Sequence, residues 1–405
     1  MIAELVIAYM RERLLSTALN IALLALSVAA LVLLLIASSQ IGERLERNAR
    51  GVDLVVGAKG SPLQLILSSI YQMDRPTGNI PLSALYQLRR DPGVARVIPL
   101  ALGDAFRGYR IVGTEPAYLS LYGAQIAAGQ MFAGQGDCVV GAEAARDLGL
   151  TVGQRFIGGH GMGEEAESGS GAEHAAQPFT VTAILKPTGT VADRLIVTSV
   201  DTIWHMHGVE APAVDAEPDA SAEAEITALL VTYRNAAGAV RLPMMINRQT
   251  NMQSAVPAIE TNRLLSLLGV GIDGAMLFGW LLALIGGLSI FVAMLNAANA
   301  REGDLALLRV MGATRGQVFG TILMEGTVTA VLGACVGALT AHLVLAQVSS
   351  GQSPLAQLGL EPWRWSGGEV VIVAIVVGIG AITALVPAMR IFTVNLAETL
   401  GKTGR

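Results

Sequence analysis

Charged residues are scarce in this sequence. Of its 405 residues, 15% are Asp, Glu, Lys or Arg and 52% are hydrophobic, whereas about a quarter of the residues of a soluble globular protein are charged. This composition excludes a disordered protein and argues against an ordinary cytosolic enzyme. No charged residue occurs at 14–39, 274–300 or 370–389, and each stretch suffices for a helix across about 30 Å of hydrocarbon. We therefore predict an integral membrane protein.

Cysteine is also rare. Cys138 lies in a polar part of the chain and Cys335 lies inside an apolar segment, so a disulfide between them is not expected. The sequence contains no CxxC motif and no Cys/His cluster with zinc-ligand spacing. The net charge of −5 and the lack of a clustered basic face give no support for a nucleic-acid partner.

Four long apolar segments divide the chain. The first is too long for a signal peptide, whose apolar core has about 7–15 residues, so we interpret it as a retained membrane helix. The predicted order is an amphipathic lead-in helix at 1–13, a first membrane helix at 14–39, a large domain at 40–268, a second membrane helix at 275–298, a cytoplasmic segment at 299–316, a third membrane helix at 318–348, a short loop at 349–369, a fourth membrane helix at 370–389 and a tail at 390–405. The Arg/Lys bias at the helix ends favours a cytoplasmic N-terminus and an extracytoplasmic large domain.

The large domain has a mixed α+β pattern. Short β-branched or apolar runs, bounded by Gly, Pro and Asp, predict strands at 53–56, 94–99, 109–112, 138–140, 179–185, 195–198 and 228–232. Helical periodicity appears at 81–90 and 141–148. Two stretches near 158–177 and 210–225 are rich in Gly, Ala, Ser and acidic residues, and we interpret them as disordered surface insertions.

No catalytic centre is evident in the sequence, and we expect no cofactor bound by this chain. The run at 53–61 (DLVVGAKGS) invites comparison with a phosphate-binding loop, but its spacing does not match GxxxxGK[ST]. Four histidines suggest a weak metal hypothesis: His160 and His174 in the acidic stretch, and His205 and His207 as His-x-His. A solvated polar loop is the favoured interpretation, because no closed-site spacing occurs.

Three residues of the third apolar segment need an explanation. Glu325 is costly inside a membrane unless it faces protein or water. It could relay protons in a secondary transporter, but with four helices and no inverted repeat we favour a structural hydrogen bond. Gly333 and Gly337 form a GxxxG pattern that permits close helix packing, for which contacts within one subunit suffice.

The segment at 301–315 (REGDLALLRVMGATR) joins the second and third membrane helices. Leu305, Leu308 and Met311 fall on one face of a helix, and Gly312 is placed to end it. An amphipathic helix between membrane spans either lies on the lipid surface or docks into a groove of a partner protein.

This run, followed by Glu325 early in the next helix, resembles the signature of FtsX-like/MacB-like ABC transporter permeases. The segments Val386–Arg390 (VPAMR) and 396–400 (LAETL) resemble the closing part of that family. The layout is also similar, with one membrane helix, a large domain and three further helices. The resemblance implies stalk helices at 41–50 and 258–268, with a flexible junction at Gly269, Gly271 and Gly274.

The resemblance also implies the function. A permease of this kind hydrolyses no ATP itself but binds a separate ABC ATPase subunit, on which ATP and Mg act, and it forms a dimer, here expected to be a homodimer. The residues implied to couple to the ATPase are Arg301, Glu302, Asp304, Leu305, Leu308, Arg309 and Gly312. ATP-driven motion would reach the periplasmic domain across the bacterial inner membrane and export or extract a substrate, together with a periplasmic adaptor or lipoprotein and in contact with membrane lipid.

A second function is implied for other members of the same family. Cell-division FtsX proteins transmit ATPase motion to a periplasmic enzyme and transport nothing. The large size of the domain favours the transporter. The sequence does not identify the substrate, and lipoproteins, peptides, amphipathic small molecules and metal-linked cargo all fit it.

Overall fold

The computed structural model describes residues 2–160, 177–209, 224–300, 303, 308–350 and 360–389. The chain divides into two compact units. We call Glu43–Ser266 the domain, and Met1–Gly42 together with Leu267–Arg405 the bundle.

Helices and strands alternate through the domain, and long helices make up the bundle. In chain order the first elements are α1 (Ile2–Glu12), α2 (Leu14–Ala49), β1 (Leu54–Ala58), α3 (Pro62–Ser69), β2 (Ile80–Pro81), α4 (Ser83–Arg90), β3 (Val94–Phe106), β4 (Tyr109–Thr114), α5 (Pro116–Leu121), β5 (Ile126–Gly129), β6 (Asp137–Val140) and α6 (Ala142–Leu148). They are followed by β7 (Arg155–Phe156), β8 (Gly159–His160), β9 (Phe179–Leu185), β10 (Ile196–Ser199), α7 (Val200–Met206), β11 (Glu225–Ile226), β12 (Ala228–Tyr233), α8 (Ala236–Gln249), β13 (Met252–Ala255), α9 (Pro257–Ala300), α10 (Arg315–Ser350) and α11 (Gly367–Met389).

Among the described residues, four helices are long and apolar enough to cross a membrane: α2, α9, α10 and α11. The helix α9 continues without interruption through Gly269, Gly271 and Gly274. A Cβ atom added at any of the three would meet nothing within 4 Å. These glycines, expected at a flexible junction, therefore belong to a regular helix whose neighbours do not require glycine.

Small residues bring the helices of the bundle close together. Leu24 of α2 occupies the space that a Cβ atom would need at both Gly286 and Gly333. Likewise, Gly380 of α11 lies directly against Ala330 of α10. Glycine and alanine at such crossings let two backbones approach closely. Because lipid is itself apolar, helices in a membrane associate mainly through such close packing and not through the hydrophobic effect.

Eleven strands of the described chain form one sheet in the domain, ordered β13-β1-β12-β3-β4-β10-β6-β9-β5, with β7 on β9 and β8 on β3. The long strand β3 joins its two halves, because residues 94–100 pair with β12 and residues 101–106 pair with β4. The register shifts between Leu102 and Ala105, and Gly103 lies there at φ 158°. Glycine at a bulge lets a strand bend from one half of a sheet to the other.

The predicted mixed α+β domain is confirmed. All seven predicted strands occur, as β1, β3, β4, β6, β9, β10 and β12, and the two predicted helices occur as α4 and α6. Alternation made β9 predictable, since Phe179, Val181, Ala183 and Leu185 are all buried. The helices α3, α5, α7 and α8 are not among the predicted elements. One of them, α8, contains Pro243, a residue that weakens a helical pattern.

The two predicted insertions need a correction at their edges. Gly159–His160 pairs with β3, and Glu225–Ile226 pairs with β2. Gly159, His160 and Glu225 fall inside the stretches predicted to be disordered, but backbone pairing with other strands includes them in sheets. The rest of both stretches, 161–176 and 210–223, lies outside the described residues.

Candidate functional site

The segment between α9 and α10 is described only in part. Arg301, Glu302, Asp304 and Leu305 lie outside the described residues. The backbone is helical at Gly303 and again at residues 308–310, which include Leu308 and Arg309. Both side chains are partly buried.

Gly312 ends this helical segment, as the sequence predicted. Its φ is 102°, in the left-handed region that glycine tolerates best. The Gly312 N–H donates to the Arg309 carbonyl at 3.2 Å, and the Ala313 N–H donates to the Leu308 carbonyl at 3.0 Å. These bonds satisfy carbonyl groups that a helix end leaves without partners.

The next helix begins immediately afterwards with a reciprocal cap. The Thr314 N–H donates to the Gln317 side chain at 2.8 Å, and the Gln317 N–H donates to the Thr314 hydroxyl at 3.3 Å. This is a capping box, in which two orphan amide groups are satisfied by the opposite side chains. The sequence pattern Thr-x-x-Gln is the signal that could have predicted this cap.

The turn between the two helices exposes apolar side chains. Val310 is 63% exposed and Met311 is 72% exposed. We call these two residues the apolar turn. These two exposed side chains lie between the hydrogen-bonded end of one helical segment and the capped start of the next.

Glu325 and the two glycines lie further along α10. Glu325 is buried at 4% exposure, and its backbone carbonyl accepts the Thr329 hydroxyl at 2.8 Å. Gly333 and Gly337 both face α2 of the same chain, and a Cβ atom at Gly337 would lie 2.5 Å from the Ala25 carbonyl. The GxxxG pattern thus serves packing within one chain.

A second site, missed by the sequence analysis, pairs α10 with α11. His342 and Glu369 are 0% and 2% exposed, and the His342 Nε2 lies 2.9 Å from the Glu369 Oε2. The His342 Nδ1 lies 2.5 Å from the Pro362 carbonyl. A carbonyl only accepts, so Nδ1 carries a proton. The contact with Glu369 then needs one further proton, on either Nε2 or the carboxyl group. We call His342 and Glu369 the buried pair.

The buried pair also contacts the segment that precedes α11, at Pro362 and Ser366. The other carboxylate oxygen of Glu369 accepts the Ser366 N–H at 2.8 Å. The rings of Trp363 and Trp365 lie 6.0 Å and 4.3 Å from the imidazole of His342. The Gln40 side chain of α2 both donates to the Glu361 carbonyl at 2.9 Å and accepts from its N–H at 2.7 Å. Three helices are therefore tied together at this end of the bundle.

In the domain, a tyrosine ties the ends of the two long helices. The Tyr71 hydroxyl lies 2.5 Å from the Thr261 hydroxyl of α9 and donates to the Leu45 carbonyl of α2 at 3.3 Å. Burial raises the pKa of Tyr71, so the phenol stays neutral. The Asn48 side chain of α2 also accepts the Val191 N–H at 2.9 Å. We call Tyr71 and Thr261 the stalk contact.

Arg110 of β4 is buried, at 6% exposure, against residues 68–74, the segment that contains Tyr71. Its guanidinium donates to the Ser68 carbonyl at 3.1 Å, to the Gln72 side chain at 3.2 Å and to the Asp74 carbonyl at 2.7 Å. Burial lowers the pKa of Arg110, although an arginine remains protonated. Three neutral oxygens thus hold residues 68–74 against β4.

The four histidines do not converge on a described metal centre. His205 lies 3.2 Å from the Gln177 amide, whereas His207 Nε2 lies 3.3 Å from the Asp104 carboxylate. The backbone of His160 pairs with that of Asp104, and His174 lies outside the described residues. No group of three metal-ligating residues occurs within the described part of the chain. The metal hypothesis therefore gains no support.

The run that was compared with a phosphate-binding loop has a structural role. Ser61 is the N-cap of α3 and accepts the Gln64 N–H at 3.4 Å, with Pro62 in the first turn. The Lys59 ammonium donates to the Asn247 carbonyl at 2.9 Å. Both polar side chains that suggested a phosphate site are therefore engaged within the domain.

Two family models match this chain, one after the other along the sequence. Residues 17–229 match the MacB-like periplasmic core domain. Residues 276–396 match the FtsX-like permease C-terminal domain. The first match alone covers more than half of the chain.

Among solved structures, similarity extends over about half of this chain. The periplasmic region of MacB from Actinobacillus actinomycetemcomitans is 11% identical, with a TM-score of 0.35, over 54% of this chain and 97% of that one. The extracellular domain of the ABC-type transporter YknZ from Gram-positive bacteria is 14% identical, with a TM-score of 0.31, over 50% and 98%. A domain of a permease protein from Porphyromonas gingivalis is 14% identical, with a TM-score of 0.27, over 51% and 88%. No curated protein matches the sequence.

Proposed function

This chain belongs to the FtsX-like and MacB-like family of ABC transporter permeases, and from that premise we propose that it transmits the motion of a separate ATPase to its large domain, which exports or extracts a substrate. The observation that carries the proposal is the order of the two family matches on a chain with four helices of membrane length. One permease chain thus combines a membrane part with a large domain.

The proposed topology places one helix before the domain and three after it. The N-terminus, the segment at 299–316 and the tail at 390–405 are cytoplasmic, whereas residues 40–268 and the loop at 349–369 lie on the periplasmic side of the inner membrane. The arginines that flank the apolar segments favour this orientation. Two copies of the chain form the permease dimer.

The segment between α9 and α10 is proposed to bind the ATPase. Val310 and Met311 present exposed apolar surface between a glycine-terminated helical segment and a capped helix. A short apolar turn on a fixed backbone suits a groove in a partner, because little chain entropy is lost on docking. ATP and Mg act on that partner.

The stalk contact supports transmission into the domain. The Tyr71 hydroxyl contacts both α2, through the Leu45 carbonyl, and α9, through Thr261. A displacement of either helix along its axis would pull on the same buried side chain. Residues 68–74, which include Tyr71, also bind Arg110 of β4, so the displacement would reach the sheet.

The test is association with the ATPase. We expect Val310→Asp together with Met311→Asp to reduce co-purification of the ABC ATPase with the full-length chain by at least about tenfold, since an apolar contact becomes a desolvated charge. Mass spectrometry of the purified complex measures the ratio of the two proteins. The matched control is Val240→Asp, which changes a 71% exposed valine of α8 in the domain and should leave the ratio unchanged.

Two results would count against this function. Wild-type ATPase recovery with the doubly substituted chain would contradict the proposed coupling role of the apolar turn. Recovery of a periplasmic peptidoglycan hydrolase, with no adaptor, channel or lipoprotein carrier, would instead favour the non-transporting regulator.

A further inference from the structure

A cavity of about 340 Å³ lies in the bundle between α1, α2 and α10. Its lining includes Met10 and Arg11 of α1, Ala18 of α2 and Leu332 of α10. Apart from Arg11 and Thr17, the lining side chains are apolar. The volume falls within the range of small-molecule sites, about 300–1,000 Å³.

The cavity lies near the junction of the amphipathic helix α1 and the apolar helix α2. The helix α1 ends at Glu12, and α2 begins at Leu14 with the first uncharged membrane segment. Val6 of α1 is buried at 2% exposure, whereas Ile7, which lines the cavity, is 52% exposed. Charged residues at the end of a membrane segment lie at the depth of the lipid headgroups. The cavity therefore has one cationic side chain, Arg11, at an end of a membrane segment, and its other lining side chains are uncharged.

We propose that this cavity binds one anionic phospholipid, with an acyl chain in the apolar interior and the phosphate at Arg11. An exposed guanidinium offers paired N–H donors that match two oxygens of a phosphate. The apolar walls suit a hydrocarbon chain and offer nothing to a polar headgroup. Both halves of a phospholipid are thus matched by adjacent parts of one site.

Charge decides between a lipid and a second copy of the chain. A two-fold interface through this surface would place the cavity, whose one charged lining residue is Arg11, against an identical cavity, while Glu12 and Arg13 lie outside the lining. Such contact between like charges is unfavourable. An anionic headgroup instead supplies the complementary charge, which cationic side chains attract at the membrane surface.

The test compares two lipids with identical acyl chains, phosphatidylglycerol and phosphatidylcholine, added to the purified full-length protein and counted by native mass spectrometry. We expect phosphatidylglycerol to bind with an apparent Kd at least about threefold lower, and Arg11→Gln to abolish that preference. Ala18→Trp, which fills the cavity, should weaken binding of phosphatidylglycerol by about tenfold.

Matched variants separate this site from general lipid adhesion. Arg315→Gln removes an exposed arginine outside the cavity, and Ala8→Trp adds the same ring to an exposed position of α1 outside the lining. Both should bind phosphatidylglycerol like the unchanged protein. Equal effects of Ala8→Trp and Ala18→Trp, or an unchanged lipid preference in Arg11→Gln, would overturn the proposal, as would a dimer that Ala18→Trp dissociates without any change in lipid binding. None of these readouts depends on the ATPase.

Discussion

Arg110 in the domain and His342 in the bundle are both buried, and the atoms around them differ. Arg110 donates to two backbone carbonyls and one amide side chain, all of which are neutral. His342 lies between one backbone carbonyl and the carboxyl group of Glu369. In the domain, neutral groups supply all the hydrogen bonds to Arg110 and the Asp74 carboxylate acts on it only through its charge. In the bundle, an ionisable side chain is itself a hydrogen-bond partner of His342.

The difference reflects what each region has available. In the domain, the Ser68 carbonyl in the last turn of α3 and the Asp74 carbonyl in the loop that follows converge on Arg110. In the bundle, helices consume most backbone carbonyls, so His342 meets one backbone carbonyl in the segment before α11 and otherwise pairs with a side chain. Removing Arg110 therefore leaves three oxygen acceptors without a donor, whereas removing His342 leaves the Pro362 carbonyl and the Glu369 side chain without this partner.

The largest effect is expected for Arg110→Met. This change leaves three oxygens in a buried place without donors and should destabilise the domain by about 3–5 kcal/mol. Cys138 is buried in the domain core, so its reaction with a thiol reagent reports opening of the domain. In a full-length chain that carries Cys335→Ser, we expect labelling of Cys138 to accelerate more than about a hundredfold.

The matched control for Arg110 is Arg89→Met. Arg89 pairs with Glu115 at 2.5 Å, but the two side chains are 40% and 38% exposed. An exposed ion pair contributes less than about 1 kcal/mol, so labelling should rise by less than about fivefold. If Cys138 were labelled at similar rates in the two variants, the hydrogen bonds of Arg110 would not be a major source of domain stability.

A smaller effect is expected for the buried pair. His342→Ala and Glu369→Ala should each lower stability by about 2 kcal/mol, less than the loss of Arg110, because helices that separate within a membrane find new polar partners. The double variant should lose little more than either single one, since the second substitution removes a group that is already unpaired. The apparent unfolding temperature of the detergent-solubilised protein measures all three variants.

Thr340→Val is the control for the buried pair. Its hydroxyl bonds to the Val336 carbonyl of its own helix, and the residue is exposed. We expect no measurable change in the unfolding temperature. Strictly additive losses in the double variant would mean that His342 and Glu369 stabilise the bundle independently.

The sequence predicted the elements better than the contacts between them. Gaps in charge located three of the four long helices, and alternation located β9, because both signals come from neighbouring residues. Arg110 follows Tyr109 in what looks like a half-exposed strand, and its acceptors lie 36–42 residues away. Similarly, His342 and Glu369 are 27 residues apart on different helices. Such pairs depend on helix packing and loop path, about which a single sequence carries no direct signal.

The smallest effect is expected for His207 and depends on pH. The hydrogen bond to Asp104 raises the pKa of His207 above its ordinary value of about 6.5. The folded state therefore binds the proton more tightly, so this stabilisation is complete below about pH 6.5 and disappears as the pH rises through the raised pKa. The His207 side chain is 35% exposed, which limits the contribution to less than about 1 kcal/mol. His207→Gln should destabilise the domain at about pH 6 and make no difference at about pH 8.5.

Labelling of Cys138 as a function of urea, with Cys335→Ser in both proteins, measures this difference. The thiol reagent itself reacts faster at high pH, so the variant and the unchanged protein are compared only within one pH. His205→Gln is the control, because His205 faces the amide of Gln177 and no carboxylate in the described structure. An equal loss from His207→Gln at both pH values would show that the ring acts by packing alone. In that case the contact with Asp104 would stabilise the domain without any contribution from the charge of His207.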